Sequence, residues 1–130
     1  MDKKRILIVD DERDVLSVLE SGLAAEGYSV ITADNGNDAI VLAKSQRPDL
    51  IILDLVMPSV DGAEIAATLK EDTDTKDIPF IFLTCLFTKT EEEEDDGRVI
   101  GGHVFIAKPY NMEGLLTQIE RLTNPKCVHR

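Results

Sequence analysis

The chain has 130 residues, 43% hydrophobic and 30% charged, with 5 prolines and 8 glycines, which suits one packed domain and argues against a disordered chain. Asp and Glu number 25 against 14 Lys and Arg, and a net charge of −11 repels nucleic-acid backbones and anionic lipid surfaces. Apolar runs such as Leu50 to Leu53 are far too short to cross a bilayer, and no export leader is expected. Cys85 and Cys127 are too few for a disulfide framework, so a cytoplasmic protein with reduced thiols is the expectation.

Short apolar runs alternate with helical patterns along the whole chain. Ile6 to Val9 reads as a strand, and Val15, Leu16, Leu19 and Leu23 then recur at helical spacing up to Gly27, a helix stop. Ser29 to Ala33 reads as a second strand, followed by Asn35-Gly36 and a helix carrying Ala39, Ile40 and Ala43. Pro48 precedes a third strand, Leu50 to Leu53, and Asp61-Gly62 leads into a helix marked by Ile65, Ala66 and Leu69. Phe80 to Leu83 and Val104 to Ala107 complete the strands, and Asn111 is placed to cap a last helix with Leu115, Ile119 and Leu122 on one face.

Strands one, three and four lack polar alternation, as parallel strands do when helices cover both faces. Five βα units with short loops predict a single α/β domain, a doubly wound five-stranded parallel sheet, over residues 1–123 with a tail at 124–130. The fourth unit departs from the pattern. Between Leu83 and Val104 stand six consecutive acids, Glu91 to Asp96, and then Gly97, Gly101 and Gly102. Adjacent like charges repel and Gly97 costs a helix about 1 kcal/mol relative to Ala, so a short or mobile helix is expected there.

Ligands of open α/β sheets bind outside the carboxyl ends of the strands, where the strand order reverses. Asp10 and Asp11 follow strand one and Asp54 follows strand three; if those strands are neighbours, three carboxylates converge. Either of the first two could instead only cap the first helix. Together the three raise one another's pKa and destabilise the fold unless a cation sits among them, and hard oxygen ligands suit Mg²⁺. Strand four ends in Thr84, a hydroxyl donor, and strand five is followed by Lys108 and Pro109. This set describes a pocket for a phosphoryl group on a carboxylate, with Asp54 as nucleophile and Thr84 and Lys108 on the phosphoryl oxygens.

These residues match a known pattern. Asp10-Asp11-Glu12 after Ile-Leu-Ile-Val, Asp54-Leu-Val-Met57-Pro58 followed by Gly62, Leu83-Thr84, and Phe105-Ile-Ala-Lys108-Pro109 together resemble the response regulator receiver domain of two-component systems, over Lys4 to Leu122. The resemblance implies a flavodoxin-like fold with sheet order 2-1-3-4-5. It implies a phosphoryl group received on Asp54 from a sensor histidine kinase or a histidine phosphotransfer protein. Asp11 would bind Mg²⁺ directly, Asp10 would assist, and the Val56 backbone carbonyl would supply a further ligand. Thr84 and Lys108 would sense the phosphoryl group, Phe105 would occupy the aromatic switch position, and the bond before Pro109 would be cis. The partners so implied are the kinase or phosphotransfer protein and a downstream protein, with no direct contact to nucleic acid or membrane. Cys85 after Thr84, and the acids Glu91 to Asp96 in the fourth helical position, depart from the family pattern.

Three other readings compete. A haloacid-dehalogenase-type enzyme would want a second Asp two residues beyond the nucleophile, where this chain has Val56. A flavodoxin-type carrier would not place Asp10-Asp11-Glu12 against a flavin phosphate. A receiver-like interaction module that is never phosphorylated would be expected to lack an acid or the Lys, and none is missing.

Overall fold

The computed structural model describes residues 4–54, 62–84, 98–100, 103–107 and 112–123, with the backbone alone at 54, 62, 63, 84, 98–100 and 103–107. Strand β1 (Arg5–Val9) leads to helix α1 (Arg13–Ala25), strand β2 (Ser29–Ala33) to α2 (Gly36–Gln46), and β3 (Leu50–Asp54) to α3 (Gly62–Glu71). Strands β4 (Phe80–Thr84), β5 (Arg98–Ile100) and β6 (His103–Ala107) and helix α4 (Met112–Thr123) follow. The sheet order is β2-β1-β3-β4-β6-β5, parallel except for the β5–β6 pair, which is antiparallel.

The absence of polar alternation has a direct cause. Successive strand residues point to opposite faces, and both faces are covered. Leu7, Val9, Ile51, Leu53, Phe80 and Phe82 pack with Ala39 and Ala43 of α2 and with Ile65, Ala66 and Leu69 of α3. Ile6, Ile8, Leu50, Ile52, Ile81 and Leu83 pack on the other side with Leu16, Leu19 and Leu23 of α1 and with Leu115 and Ile119 of α4. Full burial of each such Leu, Ile, Val or Phe side chain stabilises by about 1.5–3 kcal/mol, so the helices are held by the sheet far more than by their own propensity.

Helices α1 and α2 end differently. At the end of α1, Gly27 has φ +98°, its N–H donates to the Ala24 carbonyl, and the Tyr28 N–H reaches back to the Leu23 carbonyl. That is the glycine-terminated reversal expected from the sequence, with Tyr28 packed on the core beside it. Helix α2 ends at Arg47, which takes the same left-handed region with φ 49° and no glycine to ease it.

The five-stranded parallel expectation needs correction at the far edge, where a sixth, short antiparallel strand, β5, lies outside β6. Ile100 pairs with His103, and Gly101 and Gly102 lie between the two strands in sequence. The helix expected between Leu83 and Val104 is not what residues 98–100 form; Arg98-Val99-Ile100 is rich in β-branched side chains and pairs as a strand. The acids Glu91 to Asp96, the cap at Asn111 and the tail at 124–130 lie outside the described residues.

Candidate functional site

The register decides which strand ends meet. Val9 stands opposite Ala33 on one side and Leu53 on the other, so the residues that follow, Asp10, Asp34 and Asp54, lie level at the carboxyl ends of three adjacent parallel strands. Asp54 in turn pairs with Leu83, and Thr84 with Ala107, so Thr84 ends its strand beside Asp54 and one step beyond it. Asp10, Asp11, Asp54 and Thr84 are therefore brought to one sheet end. The side chains of Asp54, Thr84 and Phe105, and all of Val56, Lys108 and Pro109, lie outside the described residues.

Asp10 is 1% exposed, although it is an acid at a strand end. Its Oδ1 accepts the backbone N–H of Glu12 at 2.9 Å, and its own N–H donates to the Ala33 carbonyl at 3.1 Å. Glu12 is the residue before α1, has extended backbone angles and makes no side-chain cap. The helix-capping alternative for Asp10 is thus partly real: one carboxylate oxygen organises the turn into α1. Asp11 is half-buried and stands next to it.

A neighbouring network was not anticipated. Arg13 Nη2 donates to Asp34 Oδ2 at 3.0 Å, and Asn35 Nδ2 donates to Asp34 Oδ1 at 2.8 Å. Asn35 also caps α2, its Oδ1 accepting the Asp38 N–H at 2.8 Å. The available signal was that Arg13 opens α1 and Asp34 directly follows β2 at the same sheet edge, but only the β1–β2 register brings the two elements together. Among the described residues no group of three or more His, Cys, Asp or Glu side chains is gathered tightly enough to hold a metal, the Asp54 carboxylate not being one of them. Among them, too, no helix is long and apolar enough to cross a membrane.

The model of the response regulator receiver domain matches residues 6–120. The chain belongs to that family. It is 36% identical over 118 residues to the protein PilH of Pseudomonas aeruginosa, covering 88% of this chain and 93% of PilH. It is 35% identical over 117 residues to the probable transcriptional regulator ycf27 of Porphyra purpurea, covering 90% of this chain and 46% of that protein. The chain spans about half the length of the ycf27 regulators it matches. Among solved structures, the chemotaxis protein CheY4 of Vibrio cholerae superposes with a TM-score of 0.78 at 30% identity, covering 93% of this chain and 99% of CheY4. The signal receiver domain of a histidine kinase from Syntrophus aciditrophicus gives a TM-score of 0.78 at 31% identity, with 98% and 95% covered. The fold is accordingly the flavodoxin-like α/β receiver fold, and the function class is that of a phosphoacceptor in two-component signalling. Receiver domains generally use Mg²⁺ for phosphorylation and interact with histidine kinases or phosphotransfer proteins.

Proposed function

We propose that Asp54 of this receiver accepts the phosphoryl group, that Asp10, Asp11 and the Val56 backbone carbonyl complete a Mg²⁺ site with it, and that Thr84 and Lys108 bind the phosphoryl oxygens. The observation that carries the reading is the register that sets Asp10 and Asp54 level at the ends of β1 and β3. The donor set fits the metal. A carboxylate as buried as that of Asp10, next to Asp11 and level with Asp54, concentrates negative charge that a small hard cation offsets. When bound, Mg²⁺ supplies positive charge to the phosphoryl oxygens.

An Asp54 carboxylate oxygen attacks phosphorus as the P–N bond of a phosphohistidine donor breaks. The P–O bond of an acyl phosphate forms, and the departing imidazole nitrogen keeps the bonding pair and takes a proton from water. Lys108 balances charge on the transferred group and Thr84 donates a hydrogen bond to it. Thr84 drawn toward the phosphoryl oxygen leaves room for Phe105 on β6, a population shift that alters the surface around that strand. In this reading the working sheet is the five-stranded parallel one, order 2-1-3-4-5 with His103–Ala107 in fifth place, and β5 is an addition at its edge. The chain then forms one receiver unit over residues 1–123, acts in the cytoplasm, and turns over no substrate beyond its own phosphorylation and dephosphorylation.

The test is incubation with acetyl phosphate and Mg²⁺ followed by intact-mass measurement. The wild type gains one phosphoryl group and Asp54→Asn, which keeps the shape but lacks the nucleophile, gains none. Equal labelling of the two proteins overturns the assignment.

A further inference from the structure

The edge at which a phosphodonor must arrive is acidic. The β1–α1 loop is Asp10-Asp11-Glu12 and the β2–α2 loop is Asp34-Asn35, and the one lysine or arginine in these loops or in the helical turns that follow them is Arg13. Arg13 opens α1 directly after the proposed metal ligands, and its guanidinium meets Asp34, which lies level with Asp10 and Asp54 by register. The side chain of Arg13 is 85% exposed and that of Asp34 32%. Asp34 is the anchored member, because its second oxygen is held by Asn35, whose own side chain caps α2.

Such a pair adds little to the stability of the fold, since exposed ions gain modest attraction in water and are screened by salt. It matters for the approach of an anion. A phosphoryl donor must bring negative charge to an edge that already carries several acids, and a guanidinium placed there lowers that work. A guanidinium offers five N–H donors in a fork that matches two phosphoryl oxygens at once, a better fit than a single carboxylate oxygen. We propose that Arg13 recruits the incoming phosphodonor by transferring its guanidinium from Asp34 to the donor's phosphoryl oxygens, and that Asp34 restrains this transfer by competing for it. The inference rests on Asp54 being the acceptor and concerns how the donor reaches it; Arg13 is a positioning residue and takes no part in bond making.

The rival account makes the pair a clip between α1 and the end of β2. Under that account Arg13→Gln and Asp34→Asn remove the same bond and change the protein in the same direction. Recruitment predicts opposite signs. With acetyl phosphate as probe at low ionic strength and saturating Mg²⁺, the second-order rate of Asp54 labelling should fall roughly two- to fivefold in Arg13→Gln and rise by a similar factor in Asp34→Asn. The double variant should follow Arg13→Gln, because Asp34 acts only through the arginine. Arg13→Lys should recover part of the rate, and all the differences should shrink as salt is raised, while thermal melting shows each variant folded. Equal rates, or changes of the same sign in the two single variants, overturn the inference and leave Asp54 as acceptor. Labelling that persists in Asp54→Asn overturns the acceptor reading and this inference with it.

Discussion

Where the strands begin, Asp49, Asp72 and Asp74 are met by partners from within the fold. Lys44 at the end of α2 reaches Asp72 after α3 at 2.9 Å, and Arg47 stands 3.8 Å from Asp74. Arg5 gives its backbone N–H to Asp49 and its guanidinium to the Gln46 carbonyl. Where the strands end, Asp10, Asp11, Glu12 and Asp34 crowd two short loops, with Arg13 the single cation of the neighbouring sequence. The first edge uses charge to hold helix ends together. The second accumulates an excess that suits an external cation and then an external anion. An acid matched locally is part of the scaffold, while a surplus at a sheet switch point marks chemistry.

The sharpest way to break this contrast is to remove acids from each edge in turn. Asp54→Asn should abolish labelling by acetyl phosphate, whereas Asp72→Asn should label as the wild type does; intact mass reads both. Loss of labelling in Asp72→Asn would show that the two edges are not functionally separate.

Asp11→Ala comes next in size. Removing one of the crowded carboxylates relieves repulsion, so the metal-free protein should melt at the same temperature or higher, while labelling is lost. Mg²⁺ should raise the melting temperature of the wild type, because a ligand of the native state alone stabilises it, and should have little effect on the variant. Unchanged labelling in Asp11→Ala would remove it from the metal site.

The scaffold edge should show its charge through pH. The hydrogen bond from Lys44, and then the Asp74 backbone N–H, hold the Asp72 carboxyl below its ordinary 3.8. Its hydrogen bond to Asp72, and then the charge of that carboxylate, hold Lys44 above its ordinary 10.5. A depressed carboxyl contributes stability above its unfolded pKa and loses it as pH falls through the folded one. A raised ammonium contributes below its unfolded pKa and loses it as pH rises through the folded one. The melting difference between wild type and Asp72→Asn should thus be small and level near neutrality, and should close at both extremes and in high salt. A difference that grows on acidification would contradict the pairing.

The smallest effect concerns Arg47. A non-glycine residue in the left-handed region is strained, and its ion pair with Asp74 is long and exposed. Arg47→Gly should therefore stabilise by about 0.5–1 kcal/mol in denaturant unfolding, with labelling unchanged.

Much of this contrast was legible in the residues. Leu16, Leu19 and Leu23 announced α1 and its buried face, and Gly27 its end, because a 3.6-residue period and a glycine stop are local properties. Asp10, Asp11, Asp54 and Thr84 stood out because each interrupts an apolar run where a buried strand must surface. Arg98–Ile100 was missed because three residues carry too little pattern to register as a strand, and six acids before them suggested a disturbed helix instead. Arg47 was missed because nothing local requires a left-handed residue other than glycine.

Periodicity, and which side chains tolerate burial, were enough to place the longer helices and strands, their buried faces and the acids at the ends of β1 and β3. The register that sets Asp10, Asp34 and Asp54 level, the Arg13–Asp34 pair and the antiparallel edge strand emerge only once the elements are packed together. The reason is that a slip of two residues between parallel strands leaves every side chain on its own face, so patterning cannot choose among registers. Packing of both helical layers against the whole sheet makes that choice, and with it the place where the acids meet.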